Sequence, residues 1–305
     1  MTYQVEAGNS TAYELLLSFL LYKRRANLKY IDKGIGWITD VQERLTAEFE
    51  KELEQFEDIA LGNVACVLIE KCPFNQQIDS FLSWMEGLTA AEMYELLAPH
   101  IREIDSQILL DLEKQRNQLV YFLSKWNEQY FQFERVEDKL EKAVHVFNKQ
   151  KEQMSSVQLV EHFATGLQIE IKDIKHVIMI PSIHFSPLHT FSILREKIFV
   201  WFPLKTGPLS VDELIRIGKS LSDRKRLDIL QFLSVEKHTF TDVLKYIGGA
   251  KGNIHHHIMT LRAAGLVRVH LTGESQFYLS TRKEFGSELR EMLNSVIYPK
   301  HSFRE

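Results

Sequence analysis

The sequence predicts a mainly α-helical protein of the α+β class, with an N-terminal helical body that carries a small β-sheet and a separate C-terminal module. Over residues 9–155, apolar side chains recur at helical spacing, as in Leu140, Val144 and Phe147. Over residues 165–203, short apolar runs rich in β-branched residues are bounded by prolines, which is typical of strands. We expect the apolar stripes to form core rather than a cofactor site, and no cofactor is predicted.

Length and charge indicate two domains with different partners. A chain of 305 residues is long enough for about two domains, and the turn-forming stretch Lys205–Pro208 divides it into residues 1–205 and 206–305. From residue 206 onward there are 15 lysines and arginines against 11 aspartates and glutamates, whereas the preceding residues carry 22 against 30. A mildly basic tail on an acidic body is the asymmetry expected when only the tail meets phosphate.

The order of elements in the C-terminal domain predicts a winged helix-turn-helix. Ser210 and Thr239 are each followed three residues later by an acidic residue, and this capping pattern indicates helix starts. Gly248-Gly249 forces a break between two short helices, as in a helix-turn-helix. Two strand-like runs then flank Thr272–Ser275 and indicate a β-hairpin, the wing, before a last helix with an apolar stripe.

Two segments of this domain resemble the ArsR-type winged-helix repressors. Residues 221–233 are similar to that family's LxDxxRLxILxxL segment, and residues 253–267 resemble its recognition helix, xVSxHLxxLxxAGLV. The resemblance extends over about residues 210–282. It implies a bacterial transcription factor, since the family consists mostly of dimeric repressors. It assigns no activity to the long N-terminal extension, for which we expect a regulatory or dimerisation role.

The DNA-contacting residues follow from the geometry of a recognition helix, whose N-terminal, outward-facing side chains meet base edges in the major groove. Helical periodicity turns Ile254 and Ile258 inward. Asn253 suits adenine, and Lys251 or His255 suits guanine or phosphate; the remaining basic residues would contact the DNA backbone. The predicted set comprises Lys251, Asn253, His255, His256, Met259 and Arg262 on the recognition helix, Arg268 and His270 in the wing, and Arg224 and Lys225 near a helix start.

The wing is poor in positive charge. Glu274 lies in its turn, where many winged proteins carry arginine or lysine, and this departure predicts either weak contact with the DNA backbone or a wing that does not insert. The alternative function for the module is a winged helix that docks or scaffolds protein without binding specific DNA, since winged helices sometimes serve as protein docking domains. Salt-dependent binding to duplex DNA would separate the two functions, because counterion release follows phosphate contacts.

Metal and enzyme functions are not favoured by the sequence. Three consecutive histidines, His255 to His257, point about 100° apart on a helix, whereas helical metal ligands are usually three or four residues apart. The stretches 240–244 and 284–290, where many ArsR-type proteins bind metals, contain no cysteine or histidine. His176, His184 and His189 are expected to be hydrogen-bonded, although a cluster is the alternative. No catalytic motif is present.

The predicted partners are duplex DNA with a palindromic operator, a second copy of the chain and a small organic effector. Dimerisation would use the first and last helices of the C-terminal domain. The effector would bind in the N-terminal domain, in a pocket lined by Phe185, Phe199 and Trp201, unless these aromatics are ordinary core. No apolar run reaches the ~18 residues of a membrane span, and no secretory signal is visible, so no membrane contact and a cytoplasmic location are expected.

Overall fold

A computed structural model describes residues 3–56, 60–75, 77–204, 211–273 and 277–298; for residues 103–105 it describes the backbone only. The chain divides into two compact units. Unit 1 comprises Met1–Leu159 and Asp173–Leu204, and unit 2 comprises Val160–Lys172 and Lys205–Glu305. The predicted fold class, mainly α with small β-sheets and a C-terminal winged helix, is confirmed. None of the described helices is both long and apolar enough to cross a bilayer.

The helical part of unit 1 begins with α1, which Ser10 caps by accepting a hydrogen bond from the backbone N–H of Ala12. Most of α1 is buried, because other helices and the sheet pack on it from several sides. The described helices are α1 (Thr11–Arg24), α2 (Gly36–Gln42), α3 (Ala47–Gln55), α4 (Ala65–Lys71), α5 (Ile78–Gly87), α6 (Ala90–Leu97), α7 (Leu112–Gln129) and α8 (Glu137–Lys151), with short 3-10 helices at Leu28–Tyr30, Ala60–Asn63, Glu103–Leu109 and Phe131–Glu134; α9 (Ser156–Phe163) follows.

A four-stranded sheet completes the described part of unit 1. Its strands are β1 (Gln4–Ala7), β3 (His176–Ser182), β4 (Thr190–Ile193) and β5 (Lys197–Pro203), in the order β1-β3-β5-β4. The first three are parallel and β4 is antiparallel to β5. Strands β3 and β5 are almost wholly buried, which explains their continuous apolar runs. Phe185, Phe199 and Trp201 are all buried among these core residues.

One buried polar chain links α1 to the loop after β3. His184 donates from Nδ1 to the Glu14 carboxylate over 2.7 Å, and its Nε2 lies 2.8 Å from the Tyr130 hydroxyl. The same carboxylate accepts the backbone N–H groups of Ile183 and His184. Burial by itself would raise the pKa of Glu14, but the hydrogen bonds and charge of His184 outweigh it and lower that pKa. His184 is thus hydrogen-bonded, one of the two outcomes expected for this histidine.

Unit 2 contains the helix-turn-helix and its wing. Its elements are α10 (Val211–Leu221), α11 (Arg224–Val235), β6 (His238–Thr239), α12 (Phe240–Ile247), α13 (Lys251–Ala263), β7 (Val267–Leu271), β8 (Phe277–Thr281) and α14 (Phe285–Ile297). Thr239 and Asp242 form the predicted capping box of α12. Gly248 and Gly249 adopt φ of +72° and +102°, as the turn requires. The predicted cap at Ser210, the linker at 205–208 and part of the wing turn lie outside the described residues.

The prediction of one sheet over residues 165–203 is wrong in its first strand. Strand β2 (Leu167–Ile169) does not join β3 but pairs in parallel with β7 of the wing. The second sheet therefore has the order β2-β7-β8-β6. Alternation of apolar and polar residues correctly indicated a strand with one buried face, but it contains no information about which partner the strand pairs with.

Candidate nucleic-acid interface

The turn between α10 and α11 fixes the scaffold on which the recognition helix α13 packs. Asp223 caps α11 by accepting the backbone N–H of Arg226 over 3.0 Å. The Arg226 guanidinium reaches back and donates to the carbonyl oxygens of Ser220 and Lys219, each over 2.7 Å. Asp223 thus satisfies a backbone N–H at the N-terminus of α11, and Arg226 satisfies carbonyl groups at the C-terminus of α10. This is the physical role of the Asp and Arg in the LxDxxR pattern.

The N-terminal part of α13 presents a polar surface. Lys251, Asn253, His255 and His256 are exposed, whereas Ile254 is fully buried one position from Asn253. The N-cap residue, Ala250, supplies no side-chain hydrogen bond to the first turn. The first backbone N–H groups of α13 therefore add a partial positive charge to that of Lys251. A helix end of this kind is suited to bind an anion such as phosphate.

Arg224 and Lys225 add positive charge beside the same turn. Both side chains are exposed at the start of α11, and Arg224 forms an ion pair with Asp228 at 3.0 Å. A Cβ added to Gly249, just before α13, would lie 3.8 Å from the Lys225 ammonium. The structure therefore brings Lys225 next to the turn that leads into the recognition helix.

Of the predicted residues of α13, Met259 does not face outward and Arg262 is only partly exposed. Met259 is only 5% exposed. The Arg262 guanidinium donates to the Met259 sulfur over 3.5 Å, and burial lowers the pKa of Arg262 to about 10. The prediction failed because α13 packs against α10, α11, α12 and β7. The buried face of α13 is therefore wider than the stripe of isoleucine and leucine that the periodicity indicated, and it includes Met259.

The two predicted wing residues both have carboxylate partners within unit 2. Arg268 donates from Nη2 to Glu284 over 2.7 Å, and its Nε lies 3.5 Å from a Glu161 oxygen. His270 is 6% exposed and lies between the Glu170 carboxylate and the Ser280 hydroxyl, each at 2.8 Å. The expectation that His270 lies open to the DNA backbone is therefore wrong, since its ring nitrogens both have protein partners.

Two acidic residues that meet the wing, Glu161 and Glu170, were not among the predicted site residues. Glu161 and Glu170 belong to the segment Val160–Lys172, about a hundred residues before the groups that they contact. Neither shows a motif, and on a sequence each resembles any solvated carboxylate. A possible signal was the alternation of Leu167, Gln168 and Ile169, which indicated a strand, but its pairing partner could not be inferred from the residues alone.

Cysteine and metal chemistry have little support in this geometry. Cys66 is buried, and burial raises the pKa of its thiol to about 12, so the reactive thiolate is strongly disfavoured. Among the described residues, no group of three or more histidine, cysteine, aspartate and glutamate side chains is arranged to hold a metal ion. The rings of His256 and His257 lie 6.0 Å apart and are tilted by 46°, as their separation along the helix requires.

Comparison with known proteins identifies the type of this module. Residues 223–269 match the family described as bacterial regulatory protein, arsR family. The C-terminal unit is an arsR-type winged helix-turn-helix. The match begins at Asp223, the cap of α11, and ends at Val269 in the wing, so it includes the whole recognition helix. No curated protein matches the chain.

Several solved structures are similar to a part of the chain. A crystal structure of a possible transcriptional regulatory protein fragment from Mycobacterium bovis is 22% identical, with a TM-score of 0.24, over 28% of this chain and 92% of that one. A solution structure of a homodimeric winged helix-turn-helix DNA-binding domain from Mycobacterium bovis, a possible ArsR-family transcriptional regulator, is 21% identical (TM-score 0.24), over 31% and 89%. NolR from Sinorhizobium fredii is 23% identical (TM-score 0.23), over 30% and 97%.

Proposed function

We propose that the protein is a dimeric transcriptional regulator that binds a palindromic DNA sequence through α13 and acts as a repressor. The observation that carries this proposal is the exposed first half of α13, where Lys251, Asn253, His255 and His256 project from a helix whose N-terminus has no side-chain cap. Asn253 is suited to read a base edge, since asparagine pairs in a bidentate manner with adenine. Lys251, Arg224 and Lys225 are suited to phosphate oxygens.

Dimerisation is supported by the apolar side chains left exposed on α10 and α14. These two helices pack against each other, and each retains large apolar residues on its surface. The exposed residues are Val211 and Ile215 on α10, and Leu293 and Ile297 on α14. Their spacing of four residues places each pair on one helix face. A two-fold pairing of these faces would bury the stripe and present two recognition helices to half-sites about one helical turn apart.

The N-terminal unit is proposed to sense an effector. Its presence in the same chain as an arsR-type winged helix supports a regulatory role. The effector would act by favouring one of two states of the regulator. The difference between its affinities for the two states would set how far the equilibrium shifts.

The function is tested by selecting duplexes from a random DNA pool, with fluorescence anisotropy on the selected sequence. Wild type should enrich a palindrome and bind it with strong salt dependence, because each neutralised phosphate releases counterion. The Lys251→Ala/Asn253→Ala variant should lose this selection. A matched control, Lys142→Ala/Asn148→Ala, removes the same side-chain types from exposed positions of α8 and should bind as wild type does. No enrichment, with binding that does not respond to salt, would favour protein docking instead.

A further inference from the structure

The segment Val160–Lys172 is built into the wing as an additional strand. Leu167 and Ile169 of β2 are buried and pair with Val269 and Leu271 of β7. Gly166 approaches the wing so closely, at φ +85°, that an added Cβ would lie 2.6 Å from the Val267 carbonyl oxygen. Glycine is therefore the residue that permits this docking.

The first carboxylate of the segment meets two arginines of unit 2. Glu161 lies 3.3 Å from the Arg282 guanidinium and 3.5 Å from that of Arg268. Arg268 has a second partner in Glu284, and Arg282 has a second partner in Glu288. The Arg282 and Glu161 side chains are largely buried. Both arginines therefore have their positive charge compensated within the protein.

The second carboxylate lies at the other end of β2. Glu170 accepts from the Lys237 ammonium through both oxygens, over 2.6 and 2.7 Å, and from His270 Nδ1 over 2.8 Å. Burial by itself would raise the pKa of Glu170, but these two donors outweigh it and lower that pKa. Burial also lowers the pKa of His270 and so disfavours its charged form, against the opposing effect of the Glu170 carboxylate.

We propose that Val160–Lys172 is an acidic clasp, an autoinhibitory contact that holds Lys237, Arg268 and Arg282 in internal ion pairs until the clasp is released. The inference rests on the proposed DNA-binding function. Carboxylate and phosphate are bound by the same lysine and arginine groups. A cation already paired with Glu161 or Glu170 must break that pair before it can bind DNA, so its net gain from a phosphate is small.

The position of the clasp in the chain supports a regulatory use. The residues on either side of it, Leu159 and Asp173, belong to unit 1, whereas the clasp itself belongs to unit 2. A change of state in unit 1 can therefore act on both ends of the clasp through the backbone. Release would free Lys237 first, because Arg268 and Arg282 each retain a second carboxylate.

The test compares Glu161→Gln/Glu170→Gln in the full-length chain with Glu137→Gln/Glu141→Gln, which makes the same charge change at exposed positions of α8. On the selected duplex, the clasp variant should bind about tenfold more tightly than the control. The slope of log affinity against log salt should be steeper by about one, the value for one additional phosphate contact. Equal affinity and slope in the two variants would overturn the clasp.

A second variant keeps the test decisive if the clasp variant folds poorly. Lys237→Ala/Arg268→Ala should leave the affinity and salt slope of the otherwise wild-type protein within about twofold, because the clasp already occupies these cations. Combined with Glu161→Gln/Glu170→Gln, it should abolish the gain. A loss of affinity in the wild-type background would show that these two cations bind DNA already, against the proposal. If wild type selects no duplex, the DNA-binding function and the clasp both fail; normal selection with no gain removes the clasp alone.

Discussion

The recognition helix and the wing carry comparable basic residues, yet the structure leaves them in different states. Lys251 at the start of α13 is exposed, whereas Arg268 in β7 is held between two carboxylates. His255 is exposed and His270 is buried between two hydrogen-bond partners. Residue type and spacing thus indicate which side chains carry charge, but tertiary partners decide which of those charges are available to DNA.

The largest expected effect is a loss of stability when Gly166 is changed, because this glycine allows strand β2 to pair with the wing. Gly166→Ala should destabilise unit 2 by about 2–4 kcal/mol, because a positive φ and an overlap with a backbone carbonyl act together. Urea unfolding measures the loss. Gly248→Ala is the matched control: its φ is also positive but an added Cβ would meet no atom within 4 Å, so about 1 kcal/mol is expected. Equal losses would mean that β2 is not tightly docked.

A smaller but still clear effect is expected at the base-reading position. Asn253→Ala should weaken binding to the selected duplex by about 1–3 kcal/mol and relax the preference at one base pair per half-site. His270→Ala should leave both properties nearly unchanged, since that ring is buried. Anisotropy with single-base variants of the duplex measures the two together. A greater loss of specificity from the wing variant would reverse the comparison.

The pH dependence of stability sharpens the account of the clasp. Because the pKa of Glu170 is lower in the folded chain than its ordinary value, its stabilising contribution is present above the unfolded pKa of about 4.3 and is lost as pH falls through the folded value. Wild type should therefore exceed Glu170→Gln in unfolding free energy by about 1 kcal/mol above pH 7. The difference should be lost as pH falls below about 4. A difference that is still present well below pH 4 would contradict this assignment.

The smallest expected effect concerns backbone contacts. Lys225→Ala should lower affinity about two- to fivefold and reduce the salt slope by about one, because its ammonium lies beside the turn before α13. Lys283→Ala, at an exposed position between the wing and α14, is the control for general charge. A titration over several salt concentrations distinguishes them. Identical slopes for both variants and wild type would remove Lys225 from the interface.

The sequence was most informative where local rules decide the structure. The capping box at Thr239, the glycine turn and the two family-like segments predicted the helix-turn-helix and its wing. The exposed positions Lys251, Asn253, His255 and His256 followed from helical periodicity. In each case the determining contacts are a few residues apart, and such contacts can be inferred from spacing.

The remainder depended on contacts between distant parts of the chain. Met259 is buried because α13 packs on several elements, and a single apolar stripe does not reveal a second one. Strand β2 pairs with β7 rather than with β3, although both pairings satisfy its alternation. Glu161 and Glu170 lie about a hundred residues before their partners, Arg268 and His270. Contacts between charged side chains so far apart leave no periodic signal in the sequence.

The most direct test of the central claim is amide hydrogen exchange of the full-length protein with and without the selected duplex. DNA should slow exchange in the first turns of α13 and at the start of α11. Strand β7 should be protected equally in both states, since β2 and its ion pairs already hold it. New protection confined to β7, with none in α13, would contradict the assignment of α13 as the DNA-reading helix.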